Sequence, residues 1–407
     1  MTAAGPAPAA PVRLPRRARL AIFVTVLLDL LGFGMILPIL PFYAQEYGAS
    51  DLQVGVLFAS YSAAQLLFAP LLGRLSDRVG RRPVLLGCIA GGLLAHLAFA
   101  AAGSFATLVV ARTASGVAAA NFGLAQAYVA DVTPRAERSR AMGFIGAAFG
   151  LGFVLGPAFG GLLALVARVA VPLGAAALAL VNLGMASIWL RESLPPEVRE
   201  RSRSGPWFRP RAFRGLVHDA PLFGLMVLFF LVTFCISLME ATLALFVQHR
   251  FGFGDFETSG LFVYVGVVMV AVQGGLIGRA VARFGERRLI PAAMAAMAAG
   301  LLVLGSAGSV VQVAAGLGLL AFGAGLNNPS TLGLMSQLTR DDTQGGTLGL
   351  SRSFGAAARA LGPLAGTWLF GHAGVSWPFW AAGAGMTASL ALAGWVVHAA
   401  ARRLAGA

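Results

Sequence analysis

The sequence predicts an all-α membrane protein that crosses the bilayer many times. Of its 407 residues, 58% are hydrophobic and only 11% are charged, and the mean hydropathy is +0.80. A soluble fold of this length has too little interior to bury so much apolar surface. The apolar residues also fall into stretches of about 20, the length of a membrane-spanning helix. We therefore expect a polytopic helical bundle.

Twelve such stretches follow one another along the chain. We expect the spans at 20–42, 52–72, 83–102, 105–130, 141–166, 171–190, 221–247, 258–279, 289–308, 310–337, 345–370 and 377–399. The segment between the sixth and seventh spans is rich in Arg, Pro and Ser and predicts a cytoplasmic linker with a short surface helix. The predicted units are a disordered tail at 1–19, a six-helix bundle at 20–190, the linker at 191–220, a second bundle at 221–400, and a tail at 401–407.

The charge pattern predicts orientation. The basic residues are all arginines, the net charge is +14, and the arginines cluster in the tails and in every second loop. The other loops hold essentially Arg168 and Arg250. The positive-inside bias therefore predicts that both termini are cytoplasmic. Arginines placed this way indicate contact with anionic lipid and argue against a nucleic-acid partner. The Arg and Ala bias predicts a bacterial inner (plasma) membrane.

The sequence lacks the residues that several kinds of binding or catalytic site require. Cys88 and Cys235 both lie in apolar stretches, so we expect no disulfide framework and no metal site. The chain has no lysine and no Gly-x-x-x-x-Gly-Lys-Ser/Thr loop for a nucleotide. No nucleophile and base stand out at membrane depth. We expect no cofactor, no catalytic site and a monomeric protein.

A short charged run joins the second and third spans. Its fixed positions are Gly73, Asp77, Arg78, Gly80, Arg81 and Arg82. A carboxylate at the end of an apolar helix needs a cation nearby. The spacing resembles the loop between helices 2 and 3 of the major facilitator superfamily. The alternative is a basic loop that only obeys the charge bias.

A degenerate second copy supports an internal repeat. It comprises Gly278, Arg279, Arg283, Gly285, Glu286, Arg287 and Arg288, with Ala282 in the place of the aspartate. Gly362-Pro363 likewise echoes Gly156-Pro157. The resemblance implies the major facilitator fold, in which two pseudo-symmetric six-helix bundles enclose a substrate path at mid-membrane.

Asp29 lies near the middle of the first span, where an ionisable group indicates function. The run from Asp29 to Pro38 and Pro41 looks like the first helix of twelve-helix drug:proton antiporters, which implies that Asp29 exchanges protons. The alternative is that Asp29 only hydrogen-bonds a neighbouring helix. In the fourth span Arg112 matches a family arginine, and the resemblance implies that its charge tunes the proton affinity of Asp29. An arginine that extends to the outer surface is the alternative.

Two further features indicate an exporter and a gate. The fifth span matches the antiporter signature Gly-x-x-x-Gly-Pro-x-x-Gly-Gly at Gly152, Gly156, Pro157, Gly160 and Gly161. Small residues at this spacing also occur in helix packing alone. Asp131 ends the fourth span at the depth of the charged loop, so we expect an ion pair with Arg81. The pair would latch the outward-facing state, or it would be a plain helix-end salt bridge.

Other polar residues at depth are candidates for the substrate cavity: Gln126, Glu240, Asn327, Asn328 and Arg359. Glu240 could be a second protonation site or a contact for a cationic substrate, or it could pair with Arg359. The chain most resembles the tetracycline-efflux branch, which has an aspartate in the third span where this chain has Ala95-His96. His96 could take over a proton step or simply be packed.

The resemblance implies a secondary active transporter that exports a small amphipathic compound in exchange for protons by alternating access. The compound would be a drug or antibiotic, tetracycline-like compounds included, and the proton gradient would supply the energy. The alternative is a proton-coupled carrier of an endogenous metabolite, working as an importer or an exporter. The expected partners are the small-molecule substrate, protons and the lipid bilayer.

Overall fold

The computed structural model describes residues 16–133, 138–203, 219–339 and 344–405. In these residues the regular structure is helical, without strands. The predicted N-terminal tail up to Pro15, part of the linker (204–218) and the last two residues lie outside the described residues. Ten of the described helices are long and apolar enough to cross a membrane, and Leu20–Ile36 is a shorter apolar helix. The chain is thus a multi-pass membrane protein.

The first half of the chain supplies six long helices. They are α1 (Arg16–Ile36), α2 (Asp51–Val79), α3 (Arg81–Ala100), α4 (Phe105–Ala118 and Asn121–Val132), α5 (Arg138–Ala164) and α6 (Ala170–Trp189). A short helix, Pro196–Arg203, follows in the linker, as predicted.

The second half supplies six more. They are α7 (Ala220–Phe251), α8 (Asp255–Ala271, a π-helical turn Val272–Leu276, and Ile277–Phe284), α9 (Glu286–Gly305), α10 (Val310–Leu338), α11 (Gln344–Ala373) and α12 (Trp377–Ala405). Successive helices run in opposite directions, so their connections alternate between two ends. We call these the Gly80 end and the Arg168 end, after residues in the α2–α3 and α5–α6 connections.

Local chemistry explains several helix starts and turns. The hydroxyls of Ser50, Ser104 and Ser309 accept hydrogen bonds from the backbone N–H groups three residues later and so cap α2, α4 and α10. Gly80 and Gly285 make the sharp turns before α3 and α9 at φ +121° and +72°. L-residues rarely adopt such values, so glycine is needed at both turns.

Three predicted boundaries are wrong. The charged run from Gly73 is mostly not a loop, because α2 continues to Val79 and the chain turns only at Gly80. A helix satisfies its own backbone hydrogen bonds, so it continues readily past the apolar segment. The first span ends at Ile36, not at 42, because Pro38 interrupts it before the short helix Leu40–Gln45. The helix also begins at Arg16, inside the predicted disordered tail.

The hydrophobic core differs between the two ends. The largest buried cluster joins first-half residues near the Arg168 end, such as Met35, Leu57 and Val171, with second-half residues such as Phe246. At the Gly80 end the first half has a separate core around Leu85 and Tyr128, among others. The halves pack chiefly through α2 against α11 and α5 against α8. They are therefore joined most extensively at the Arg168 end.

Candidate functional site

Three helices of the first half meet at the carboxylate of Asp29. Its Oδ2 accepts a hydrogen bond from Asn121 Nδ2 at 2.5 Å, and its Oδ1 accepts one from Asn182 Nδ2 at 3.0 Å. Asn121 begins the second segment of α4, and Asn182 is a fully buried residue of α6. Among the described residues no cation pairs with Asp29. Neutral amides therefore hold this carboxylate, and it can take up a proton without breaking a salt bridge.

Asn121 and Asn182 were not among the residues expected from the sequence. The sequence does contain one signal for such residues, a single amide inside an apolar helix. A polar side chain at membrane depth needs a hydrogen-bond partner. Asn182 is such a residue in Ala170–Trp189. The sequence does not show which of the other helices supplies that partner.

Arg112 is 2% exposed and stands apart from Asp29. Its guanidinium carbon lies 4.5 Å from the centroid of the Tyr61 ring, and its Nε has no hydrogen-bond partner among the described residues. Asn121, which holds Asp29, follows Arg112 by nine residues, or roughly 13 Å of helix. Arg112 and Asp29 are therefore not in direct contact, and the predicted effect of Arg112 on the proton affinity of Asp29 stays a prediction. The predicted extension of Arg112 to the outer surface is wrong, because the side chain is buried.

A polar cavity of about 30 Å³ lies between the two halves. The first half contributes Phe33, Leu37, Phe58, Tyr61, Ser62 and Arg112, and the second half contributes Ser237, Glu240, Arg359 and Pro363. Glu240 and Arg359 therefore face one space, as candidate cavity residues should. They form no direct ion pair within it. A larger groove between α2 and α11 is lined, among the described residues, by apolar and aromatic side chains such as Leu52 and Trp368, without a charged group.

The other predicted cavity residues lie elsewhere. Asn327 is buried and accepts a 3.5 Å hydrogen bond from Thr331 of its own helix, whereas Asn328 is exposed. Gln126 accepts a hydrogen bond from Arg352 of α11. These three residues do not line the polar cavity between the halves.

His96 packs against α1 beside Gly32, nearly one turn after Asp29. A Cβ added at Gly32 would lie 3.4 Å from His96 Nε2. The ring Nδ1 is buried and makes no hydrogen bond with the described residues. His96 is therefore packed against the helix that carries Asp29, as predicted, and its role in proton transfer stays a prediction.

The predicted ion pair between Arg81 and Asp131 is confirmed. Arg81 Nε lies 3.1 Å from Asp131 Oδ2, and Arg81 Nη1 lies 2.6 Å from Asp77 Oδ1. Ser193 Oγ also donates a hydrogen bond to Asp131 at 3.2 Å. Both members of the pair belong to the first half. The Arg81–Asp131 pair therefore does not itself connect the two halves, and its gating role stays a prediction.

Glu192 fastens the start of the linker to the charged run. Its carboxylate accepts hydrogen bonds from the backbone N–H of Arg81 at 2.9 Å and of Arg82 at 3.2 Å. A carboxylate is favoured at this place because the first N–H groups of α3 lack partners within the helix. Arg82 Nε donates in turn to Leu190 O at 2.8 Å. The charged run, α4 and the linker thus form one connected polar network.

The glycine signature of α5 packs against α1. A Cβ added at Gly152 would lie 2.6 Å from Leu30 Cβ, and one at Gly156 would lie 2.8 Å from Gly34 Cα. Gly160 meets the backbone of Met35 in the same way. Gly161 instead faces Ser259 of α8 in the second half. The signature therefore allows close approach of α5 to the helix that carries Asp29.

Arg168 joins the halves at the other end, a role that the sequence did not predict. Its Nε lies 2.7 Å from Asp255 Oδ2 at the start of α8, and its Nη1 pairs with Glu46 of the first half. Burial lowers the pKa of Arg168, but the bonds to Asp255 and Glu46 raise it more, so the net shift is upward. The guanidinium therefore stays charged and can hold both carboxylates.

Comparison with known proteins agrees with this architecture. The sequence profile of the Major Facilitator Superfamily matches residues 22–279 and 274–406. Tetracycline resistance protein, class C, of Escherichia coli is 32% identical over 364 residues, which are 88% of this chain and 91% of that protein.

Two solved structures are also similar. The human organic anion transporter MFSD10 (TETRAN) is 29% identical, with a TM-score of 0.72 over 93% of this chain and 99% of that chain. A bacterial homologue of the human lysosomal transporter Spinster has a TM-score of 0.69 at 17% identity, over 95% of this chain and 97% of that chain, which supports the fold alone. The chain therefore belongs to the Major Facilitator Superfamily of membrane transporters.

Proposed function

We propose that this transporter exports a small amphipathic compound in exchange for protons, by alternating access. The tetracycline resistance proteins among its relatives support a drug or antibiotic as the exported compound. The glycine signature from Gly152 to Gly161, which resembles that of drug:proton antiporters, supports the direction of transport. The proton gradient is the energy source in this proposal, without a nucleotide.

The observation that carries the proposal is the environment of Asp29. Its carboxylate is bound by two neutral amides inside the first half. Burying an ionisable group at membrane depth costs free energy, so such a group indicates a functional site. Because its partners are neutral, gain or loss of one proton changes the charge of the whole cluster. Such a change can favour one arrangement of the helices around α1 over another.

The position of the polar cavity supports alternating access. It lies between the halves, and the shared core and Arg168 close the molecule at one end. Asp29 does not line this cavity. In the proposal, therefore, proton and exported compound occupy separate places, and each biases the same movement of the halves.

Arginine placement supports an orientation with both termini in the cytoplasm of a bacterium. The Gly80 end would then face the cytoplasm and the Arg168 end the outside. The contacts at the Arg168 end would make the present conformation closed to the outside.

A carrier of an endogenous organic anion is the second candidate. It is favoured by the 29% identity with the human organic anion transporter. The two candidates differ in the compound carried, and both allow proton coupling. Tetracycline and 1-naphthoate are used as separate probes: accumulation of tetracycline supports the first candidate, and accumulation of 1-naphthoate without tetracycline supports the second.

The proposal is tested in inverted membrane vesicles with an imposed proton gradient. Asp29→Asn should reduce gradient-driven accumulation of the carried probe to the level of vesicles that lack the protein. Exchange of labelled for unlabelled probe without a gradient should survive, because asparagine resembles the protonated carboxyl group. Glu197→Gln, at an exposed carboxylate in the linker, is the matched control. Normal gradient-driven accumulation by Asp29→Asn would overturn the coupling role.

A further inference from the structure

The charged side chains in the polar cavity do not balance. Arg112 and Arg359 are cationic and Glu240 is anionic, so the lining carries one positive charge in excess. The other lining residues are apolar, aromatic or neutral. A buried cation without a counterion is costly in a membrane protein. The lining is therefore suited to accept a negative charge.

Arg112 is the group that lacks a counterion. It is almost fully buried, its Nε has no hydrogen-bond partner, and no carboxylate of the described residues pairs with it. The Tyr61 ring below it supplies a cation–π contact, but a neutral ring leaves the charge in place. Guanidinium groups bind carboxylates through paired N–H donors. An anionic group in the cavity would meet free donor capacity at Arg112.

We infer that this cavity binds the anionic group of the transported compound, with Arg112 and Arg359 as its ligands from opposite halves. The inference rests on the proposed transport function and names the substrate class. Phe33, Phe58 and Tyr61 line the same space, and the rings of Phe33 and Tyr61 lie 5.1 Å apart. These rings suit the apolar body of an amphipathic molecule. The substrate class is thus an aromatic or otherwise apolar organic anion.

The size of the cavity shows how the compound would be held. A volume of about 30 Å³ accommodates roughly one water-sized group. The charged group of the compound fits such a space, while its apolar body needs the halves to separate. Because Arg112 and Arg359 come from different halves, an anion between them would draw the halves together. Binding and closure are then one event.

The carboxylate of Glu240 affects which charge the cavity favours in the bound compound. Alone, its carboxylate would favour a cation, which was one expectation from the sequence. Two arginines in the same space oppose a cation. A structural ion pair between Glu240 and Arg359 would neutralise both groups, yet the structure contains no direct pair between them. The excess positive charge at Arg112 persists under either arrangement.

The test is direct binding to the purified full-length protein in detergent, without a proton gradient. Two probes of similar size and opposite charge are compared by isothermal titration: 1-naphthoate and 1-naphthylmethylamine. We expect roughly tenfold or tighter binding of naphthoate relative to the amine, the effect of one charged hydrogen bond. Equal or tighter binding of the amine would overturn the inference.

Variants locate the site. Arg112→Gln and Arg359→Gln should each weaken naphthoate binding by roughly tenfold or more, whereas Arg402→Gln, at an exposed arginine, should not change it. Glu240 is the only carboxylate among the described residues of the lining, and Glu240→Gln should tighten naphthoate binding several-fold. This last variant removes an opposing charge, so it tests the site even where an arginine variant does not fold. Weaker naphthoate binding in Glu240→Gln would contradict the inference.

The result is independent of the coupling test. Naphthoate binding without proton-driven transport would leave the anion site standing and overturn the exchange mechanism. Proton-driven transport with tighter binding of the amine would overturn the anion site and leave the exchange mechanism standing.

Discussion

The two ends of the molecule hold the halves together in different ways. At the Arg168 end they share one hydrophobic core, and Arg168 bonds Asp255 across the boundary. At the Gly80 end the first half has its own core, and its best-defined ion pair, Arg81 with Asp131, is internal. Arg352, which contacts Gln126 and Phe122, is a polar bridge toward that end. This difference indicates that the Gly80 end separates with less loss of buried apolar contact than the Arg168 end.

One assay measures the balance between the ends. A cysteine is introduced by Ser62→Cys, at a buried position that lines the cavity, after Cys88→Ser and Cys235→Ser. A membrane-impermeant maleimide is then applied to right-side-out or inverted vesicles. The ratio of the two labelling rates reports which end is open.

The largest expected effect comes from a change at the contact of α2 with α11. A Cβ at Gly55 would lie 2.9 Å from Pro363 O and would also meet Thr367. Gly55→Val should therefore destabilise the closed Arg168 end by roughly 1–3 kcal/mol and shift the labelling ratio about 5- to 150-fold toward that end. Gly184→Val, the same substitution in α6 with open space around it, is the control. An unchanged ratio in Gly55→Val would contradict closure through this contact.

A smaller shift is expected from the ion cluster. Arg168→Gln removes the pairs with Asp255 and Glu46, of which only the Asp255 pair joins the halves. A partly exposed pair is worth at most about 1 kcal/mol, so the ratio should move a few-fold in the same direction. Arg352→Gln, the same substitution in the bridge toward the Gly80 end, should move it the opposite way. The comparison between the ends fails if both variants shift the ratio in one direction.

The smallest effect on the balance is expected from Asp131→Asn. The Arg81–Asp131 pair lies within the first half, so its loss should lower the free energy of unfolding by about 1 kcal/mol and leave the labelling ratio unchanged. Thermal unfolding in detergent and the maleimide assay measure the two quantities. A shift in the ratio as large as that of Arg168→Gln would instead support the predicted latch.

The sequence predictions were right where depth in the membrane left one partner for a residue, and wrong where several partners or backbone conformations fitted the same residues. The Arg81–Asp131 pair was predictable because both residues end apolar segments at one depth. The extension of α2 to Val79 was missed because charge was taken as a sign of a loop, although a charged helix can continue beyond the apolar segment. Asn121 and Asn182 were missed because an amide in an apolar helix can bond any of several neighbouring helices, and the sequence does not show which one.

By itself, the sequence determined that the chain crosses a membrane in helices, and approximately where each helix begins and ends. In lipid every backbone N–H and C=O must be bonded within the segment, so apolar length and local turn residues suffice for that result. Only the tertiary structure decided that Asp29 meets two amides, that Arg112 faces a cavity without a counterion, and that Arg168 joins the halves. These contacts depend on the rotation and tilt of each helix, which are set by packing between residues far apart in the chain.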